Sequence, residues 1–406
     1  MKIKSKLLLL ISTSLLFPNL LFSQKKTAEI TVVNNGNVPL VDYTLEIPLH
    51  SLNLVLGSYV AMFNNQVVPV ELSEDIEGNV NAIIHINKLQ AKDKFKIQIQ
   101  QGTAPTYPKR TYAELSHKIG GQFEGTEYKG GFAWVKPNYL RVPHGMRDHA
   151  YYVKYEGPGW ESDKVGFRFY LDWRNAIDVF GKKTPHIVLP TVGVDGYDNY
   201  HKMADWGMDN MKVGKALGLG SIAIWDGTKA VRVEKTDSTI CYIKADGKIR
   251  SQVMTTYYGW DANGAKTNLK SLISIDGGSR ASYMQLAVDN PISNIATGIN
   301  KSKDVEFFIS DATTGKWAYI ASFGKQSLNN DMMGLAVFYR KAQLQKITED
   351  SINHVLVLSP TNGKVDYYFM PTWEQDWEPV KTKVDFQRCI DEVLNRLNSN
   401  VTISLK

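Results

Sequence analysis

Short stretches in which apolar and polar residues alternate cover most of the first hundred residues of the chain. ITVV from Ile30, YTLEIPL from Tyr43 and KFKIQIQQ from Lys94 are examples. Alternation places successive side chains on opposite faces of a strand, and the Asn-Gly and Asp- or Glu-Gly stretches between them predict tight turns. We therefore expect a small N-terminal antiparallel β-sandwich over residues 24–105, ending in a proline-containing segment.

Strand-like stretches continue over residues 111–380, for example VGFRFYLDWR, SYMQLAV and HVLVLS. They do not alternate with helices in the way that a parallel sheet requires, and no repeat of fixed length is present. Residues 106–406 are therefore expected to form one large antiparallel sandwich, which makes the whole chain all-β. Between Val384 and Leu397 apolar residues recur at helical spacing instead, which predicts a C-terminal helix.

The first 23 residues have the pattern of a secretory signal peptide. Lys2, Lys4 and Lys6 precede a leucine-rich stretch that ends before Ser23. Polar residues and Pro18 interrupt this stretch, so a permanent membrane helix is not expected. The mature protein is therefore expected in the periplasm, without membrane attachment after cleavage.

The charge balance narrows the range of partners. Lys and Arg number 47 against 41 Asp and Glu, and three of those lysines belong to the leader, so the rest of the chain is close to neutral. Without a basic arm or run, nucleic acid is not an expected partner. The two cysteines, Cys241 and Cys389, could pair in an oxidising compartment or remain free, and the sequence leaves both outcomes open.

The chemistry is expected in the region from Trp134 to Lys215, which is dense in aromatic and charged residues. Within it, residues 165–174 alternate as one strand with an apolar face. The opposite face carries two arginines, a phenol and a carboxylate: Arg168, Tyr170, Asp172 and Arg174. Because a guanidinium matches the paired oxygens of a carboxylate or sulfate, this face indicates an anionic sugar as ligand. A merely solvated strand face is the alternative.

A loop punctuated by glycines follows this strand and supplies further candidates. His201 fits a general base, a metal ligand or a structural histidine, and His144 is a second candidate base upstream. Asp205 and Lys212 are substrate-binding candidates, as is Asp172 on the strand. The acidic residues do not match a known cation-binding loop. No cofactor is therefore expected, and a divalent cation is left open.

Aromatic residues make up 11% of the chain, including 20 Tyr and 9 Trp. A tyrosine-rich β core accounts for this composition. It is equally typical of platforms on which the apolar faces of sugar rings stack. Trp160 and Trp206 are the stacking candidates in the dense region.

Two long segments, GPGWESDKVGFRFYLDWRNAIDVFGKK and GVDGYDNYHKMADWGMDNMKVGKALGLGS, resemble domain-of-unknown-function family 4861. The likeness covers most of the chain after Thr111, and its most specific part is WGMD followed by VGKALG. The family is similar to secreted proteins of polysaccharide-utilisation systems for pectin-like and ulvan-like anionic glycans. The resemblance implies a β-supersandwich with lyase or dehydratase activity on uronic-acid-containing oligosaccharides, and it assigns no catalytic residue.

Elimination at a uronate needs a group that neutralises the carboxylate, a base for the hydrogen at C5 and an acid for the leaving oxygen. Arg168 and Arg174 suit the first function and His201 the second. Tyr170 suits the third, with His144 as a reserve base. A departing sugar would make the enzyme a lyase, and departing water a dehydratase. A glycoside hydrolase with two carboxylates and a non-catalytic glycan-binding protein are the alternatives.

Overall fold

The computed structural model describes residues 27–104, 106–303, 305–310 and 313–405. The expected signal peptide, residues 1–23, lies outside these residues. The all-β prediction is confirmed, because antiparallel sheets make up most of the described chain and one α-helix lies near its end. Within the described ranges, no helix has the length and apolar character needed to cross a membrane.

The N-terminal unit begins with six strands. They are β1 Thr27–Asn34, β2 Leu40–Pro48, β3 Tyr59–Phe63, β4 Gln66–Glu74, β5 Val80–Leu89 and β6 Lys94–Gln101, with a 3-10 helix at Leu49–Leu52. Asn64 and Asn65, at φ 48° and 60°, form a tight turn between β3 and β4. The first half of β4 pairs with β3 and the second half with β5, so the sheet bends around one apolar core.

The second unit contains the remaining elements. Its strands are β7 Thr111–Glu114, β8 His117–Glu124, β9 Glu127–Val135, β10 Tyr139–Arg141, β11 Gly159–Ser162, β12 Gly166–Phe169, β13 Ile177–Lys182, β14 Gly207–Asp209, β15 Ala223–Trp225, β16 Ala230–Arg232, β17 Ser238–Asp246, β18 Arg250–Ala262, β19 Ala265–Asp276, β20 Ser282–Val288, β21 Ile295–Asn300, β22 Glu306–Ile309, β23 Trp317–Lys325, β24 Met332–Arg340, β25 Leu344–Glu349, β26 Asn353–Leu358, β27 Lys364–Trp373 and β28 Val401–Leu405. Its helices are the α-helix α1 Lys383–Leu397 and 3-10 helices at Lys154–Glu156, Asn199–His201 and Lys341–Gln343.

Three sheets of this unit share one core. Nine strands form an antiparallel sheet in the order β10-β17-β18-β19-β20-β27-β24-β23-β22. Two five-stranded sheets, β14-β13-β12-β11-β7 and β16-β15-β21-β26-β25, contribute side chains to the same core. Strands β8 and β9 form a separate two-stranded ribbon, and a β-bridge between His117 and Val153 joins it to the segment before β11.

The last strand corrects the expected domain boundary. β28 pairs with β1, with Leu405 opposite Ile30, and it completes a seven-stranded sheet in the order β2-β5-β4-β3-β6-β1-β28. The second unit, expected over residues 106–406, therefore gives its final strand to the first. Arg110 also joins the units, because its guanidinium pairs with Asp42 at 2.8 Å and with Asp163 at 2.7 Å.

The predicted C-terminal helix is confirmed as α1. The Thr382 hydroxyl accepts a hydrogen bond from the Asp385 amide at 3.1 Å, and the Asp385 carboxylate accepts one from the Thr382 amide at 3.2 Å. This reciprocal pair caps the start of the helix. Phe386 stacks on Phe323 at 5.4 Å, so the apolar side of α1 covers the outer face of the nine-stranded sheet.

Both cysteines are free thiols. Cys241 lies in the large core, where burial raises the pKa of its thiol to about 12. Cys389 is on α1 and packs against the apolar cluster on the other face of the nine-stranded sheet. The sheet separates the two sulfur atoms, which settles the question that the sequence left open.

Candidate functional site

The polar row predicted on residues 165–174 is not an open strand face. β12 ends at Phe169, and the chain then turns back towards β13. Phe167 and Phe169 point into the core as expected. On the opposite face, Arg168 is only 2% exposed and Tyr170 only 7%. The alternation is therefore correct for β12, but its polar face is covered by protein rather than open to a ligand.

Arg168 is the centre of a buried network of charged groups and hydroxyls. Its Nη2 donates to the carboxylates of Asp209 at 2.6 Å and Asp178 at 2.9 Å. Its Nη1 donates to Glu156 at 3.1 Å and to the Tyr200 hydroxyl at 3.1 Å. The guanidinium thus holds several chain segments together. This corrects its predicted role, because it is not free to bind a substrate carboxylate.

Burial and neighbouring charges shift the pKa values of two carboxyl groups in the network in opposite directions. Burial raises the pKa of Asp209 well above its usual range, and the neighbouring carboxylate of Asp178 raises it further. One Asp209 oxygen, Oδ1, is buried without a hydrogen-bond partner. Burial also opposes the charge of Glu156, but Arg168 and Arg174 together lower its pKa overall. The protonated form is therefore favoured at Asp209 and the charged form at Glu156.

Tyr170 points into the same network. Its hydroxyl donates to Asp178 at 2.7 Å and accepts from Arg168 at 3.2 Å. Burial raises its pKa well above the usual range, so the phenol stays protonated. Since its proton is committed to Asp178 and the side chain is buried, Tyr170 is not placed to protonate a leaving sugar oxygen. The predicted general acid is thus a structural residue.

Arg174 lies at the edge of the network, on the turn that follows β12. Its guanidinium contacts Asp172 at 2.9 Å, Glu156 at 2.7 Å and Asp148 at 2.7 Å. It also lies over the Tyr170 ring, 3.9 Å from the centroid. Three carboxylates therefore neutralise Arg174, and Asp172 is its ion-pair partner. Both predicted ligand-binding roles are corrected accordingly.

A group of candidate metal ligands adjoins Arg174. Asp148, His149 and Glu156 each place one donor atom within 4.8 Å of the others. Carboxylate and imidazole donors suit several divalent cations. Arg174 already supplies positive charge to Asp148 and Glu156, so a cation would have to compete with a guanidinium. The divalent cation remains open as a prediction.

The backbone that carries this group is strained. Four non-glycine residues have positive φ: His149 (57°), Tyr151 (55°), Tyr155 (38°) and Glu156 (70°). Such conformations cost about 1–3 kcal/mol each and cluster at functional sites. Hydrogen bonds hold the segment in place, among them the His149 amide to Glu156 at 3.1 Å and the Tyr197 hydroxyl to the Val153 carbonyl at 2.6 Å.

His201 connects the network to solvent. Its Nδ1 is 2.7 Å from the Tyr197 carbonyl oxygen, which only accepts, so Nδ1 carries the hydrogen. Its Nε2 is 3.4 Å from the Asp209 carboxylate, and 40% of the side chain is exposed. Burial and then the charge of Arg168 lower its pKa. His201 is therefore neutral at pH 7, as its predicted role as a base requires, and that role stays a prediction.

The imidazole of His201 is expected to titrate below its ordinary pKa of 6.5, because protonation is opposed by burial and by Arg168. The stability that depends on neutral His201 is then complete above pH 6.5 and declines as the pH falls below that value. NMR titration of the ring resonances measures this midpoint, with His201→Gln identifying the signal. A midpoint at or above 6.5 would contradict the burial argument.

Buried lysines anchor the loop that carries His201. Glu161 accepts a hydrogen bond from the Leu189 amide at 2.7 Å and another from Lys182 at 2.6 Å. Lys154 donates to the Leu189 carbonyl at 2.8 Å. Lys182 is 0% exposed and Lys154 2% exposed. Sequence reasoning missed these anchors, since lysines are rarely buried and no local pattern marks them.

The remaining predicted residues are scattered. Trp160 is 1% exposed and donates its indole hydrogen to Ser282 at 2.9 Å, so it is a core residue and the stacking role predicted for it is corrected. Trp206 is half-buried on the loop of His201. Asp205 and Lys212 are exposed, and within the described residues neither forms an ion pair. Trp206, Asp205 and Lys212 remain predicted ligand contacts.

A cleft of about 520 Å³ adjoins the network and shares Asp172 with it. It is lined by three segments within residues 141–147, 171–175 and 233–239. β10 pairs with β17 beside the cleft, which brings the first and third segments together. His144, the reserve base, is the predicted histidine that lines this cleft, and His201 does not line it.

Several cleft side chains are exposed and form no ion pair with the described residues. The imidazole of His144 is exposed and makes no hydrogen bond to the described residues. Arg141 and Arg147 are also exposed, and over the same residues they form no ion pair. Trp173, on the turn after β12, is 43% exposed. These four side chains are therefore free to contact a ligand.

Part of this set was detectable from the sequence. RVPHGMRDH places Arg141, His144 and Arg147 within a few residues of one another. Trp173 was assigned to an apolar strand face because β12 was expected to continue past Phe169. The 233–239 segment carries Glu234 and Asp237, and its sequence gave no signal of a site.

A family described as a domain of unknown function, DUF4861, matches residues 32–403. An uncharacterized protein P7 of Formosa agariphila is 24% identical over 430 residues, which cover 98% of this chain and 99% of that protein. Two Enterococcus faecalis structures, one described as a protein in glycosyl hydrolase family 38 and one as an alpha-mannosidase, are each 7% identical with a TM-score of 0.46. They align with 94% of this chain, which spans about half their length (47% and 46%). Because the family match extends through both structural units, the chain belongs to the DUF4861 family.

Proposed function

We propose that the protein is a carbon–oxygen lyase that acts on uronic-acid-containing oligosaccharides in the periplasm. The observation that carries this proposal is the cleft, in which two arginines without an ion pair to the described residues, an exposed histidine and an exposed tryptophan line one cavity. Its volume of about 520 Å³ lies within the usual range for small-molecule sites. The buried network beside it fixes Asp172, whose carboxylate Arg174 contacts at 2.9 Å.

Arg141 and Arg147 supply the positive charge that the chemistry needs. Removing the hydrogen at C5 of a uronate places negative charge on C5 and its carboxylate. Donors already aimed at that carboxylate stabilise the transition state without reorganising. Arg147 is partly held, because its Nη1 donates to the carbonyls of His144 at 3.1 Å and Met146 at 2.8 Å. Its other nitrogen atoms can therefore meet a ligand in a restricted orientation.

His144 is the base in this proposal. The exposed imidazole makes no hydrogen bond to the described residues, so a ring nitrogen is available to accept the C5 hydrogen as a proton. The C5–H and C4–O bonds break, the C4–C5 double bond forms, and the same imidazole can return the proton to the departing oxygen. One group thus serves both as base and as acid, which removes the need for the buried Tyr170.

The cleft favours elimination over hydrolysis. A glycoside hydrolase needs two available carboxyl groups on either side of the bond it cleaves. Of the carboxylates that line the cleft, Asp172 is bound by Arg174 at 2.9 Å, and Asp237 pairs with Lys266 at 2.9 Å. Glu234 alone has no ion pair within the described residues. A pure binding protein would not need an exposed imidazole between two exposed arginines.

The test is to incubate the purified protein with a panel of uronate oligosaccharides. Elimination creates a conjugated C4–C5 double bond, so ultraviolet absorbance should rise with time. Mass spectrometry then separates the two forms of the reaction: loss of water marks a dehydratase, and two sugar fragments mark a lyase. New reducing ends without a rise in absorbance would instead establish hydrolysis, and binding without any product would leave a glycan-binding protein.

A further inference from the structure

The ribbon formed by β8 and β9 has one packed face and one open face. On the packed face, the rings of Phe123 and Tyr128 lie 5.2 and 4.9 Å from that of Tyr152. The Tyr128 amide also donates to the Ala150 carbonyl at 2.7 Å. The ribbon is therefore fixed against the segment that leads into the strained backbone of the site, and on its other face Phe132 is 83% exposed.

A bulge brings an aromatic ring onto this open face. Ile119 lies opposite Ala133 but Gly121 lies opposite Gly130, so β9 holds one extra residue at this point. The bulge explains why Tyr128 faces the protein while Phe132, four residues later, is 83% exposed. A side chain at Gly120 would approach the Phe132 ring to 1.9 Å, so a glycine is required for the ring to lie against the strand.

Trp134 and Lys118 continue the same surface. They are paired across the ribbon, and the Lys118 ammonium lies 5.4 Å from the centre of the Trp134 ring. The indole hydrogen of Trp134 is donated to the Val194 carbonyl at 3.2 Å, which fixes the ring and links the ribbon to the loop of His201. Lys118 forms no ion pair with the described residues, so its charge is available to a ligand.

We infer that the open face of the ribbon, with Phe132, Trp134 and Lys118, is a second carbohydrate-binding surface that holds distal units of an anionic polysaccharide. The exposed Phe132 ring and the half-buried Trp134 indole offer apolar surface to the faces of pyranose rings, and the Lys118 ammonium suits a uronate carboxylate. A protein partner fits less well, because a stable protein interface covers about 800 Å² on each side and a two-stranded ribbon is narrow. The choice of an anionic glycan rests on the proposed function.

The test measures binding of the full-length protein to polygalacturonate, and the methyl-esterified polymer, which lacks the carboxylate charge, is the control ligand. Phe132→Ala and Trp134→Ala are each expected to weaken binding by about tenfold, the loss of roughly one stacking contact. Lys118→Gln should reduce the preference for the charged polymer. Leu56→Ala removes an equally accessible apolar side chain (72% exposed) from the N-terminal unit and should change nothing.

The two proposals fail in different ways. Phe132→Ala should leave turnover of a short oligosaccharide unchanged, because the ribbon holds only distal units. Polymer binding that depends on Phe132 supports the inference even if no elimination is detected, in which case the lyase proposal fails alone. Wild-type affinity in Phe132→Ala and Trp134→Ala, or no binding of polygalacturonate by the wild type, would overturn the inference. Phe132→Ala decides the matter if Trp134→Ala misfolds, since Phe132 is almost fully exposed.

Discussion

Replacing His144 by alanine is expected to lower turnover of the uronate substrate by at least about a hundredfold, the usual contribution of a general base. The fold should be unaffected, because the imidazole is exposed and makes no hydrogen bond to the described residues. The initial rate of ultraviolet absorbance gives kcat and KM separately. The loss should appear in kcat, since His144 acts on the proton transferred in the transition state.

Matched variants separate this role from a general effect of removing a histidine. His186 is also exposed and does not line the cleft, so His186→Ala should retain full turnover. Arg147→Ala should raise KM and lower kcat, because the guanidinium both binds the carboxylate and stabilises the charge that develops on it, and Arg147→Lys should restore both only in part, because the planar guanidinium is lost. Normal turnover in His144→Ala together with a large loss in His201→Ala would move the base to the loop and refute the cleft as the site.

The fold was predictable where local pattern decides it. Alternation identified the strands of both units, and the helical spacing before Leu397 identified α1 because one apolar side of a helix packs on a sheet regardless of the remaining topology. β28 was not predictable in the same way. Its five residues pair with β1 across most of the chain length, and no local feature specifies such a distant partner.

The sequence predicted which residue types share one face of the strand, but it did not predict that this face is buried. Arg168 and Tyr170 do share a face, as the alternation requires, but side chains from distant segments cover that face. A local signal did mark the end of β12. The Asp172 carboxylate accepts from the Arg174 amide at 2.8 Å, an Asx-turn, and Asn175 follows with φ 38°. Asp172 and Asn175 at these positions predict a turn. A strand that ends at this turn does not include Trp173 in its apolar face.

Replacing Arg168 by methionine is expected to lower the free energy of unfolding by about 3–5 kcal/mol, the usual result of removing one partner from a buried ion pair. Methionine fills much of the same volume and leaves Asp178 and Glu156 without the guanidinium that compensates their burial. Chemical denaturation followed by tryptophan fluorescence measures the change. Arg388→Met provides the control, because Arg388 is 70% exposed and pairs with Asp385 at the surface, where ion pairs contribute little.

The pH dependence of the same variant tests whether charge is the cause. Without Arg168, the buried carboxylates should have pKa values above those of the unfolded chain, since burial raises them and the compensating cation is gone. A group with a raised pKa contributes stability at low pH and loses it as the pH rises through that pKa. The deficit of Arg168→Met relative to wild type should therefore shrink as the pH falls towards the carboxylate range. If the deficit is constant with pH, the loss of stability is due to packing. If Arg168→Met is as stable as the wild type, the network does not hold the site together.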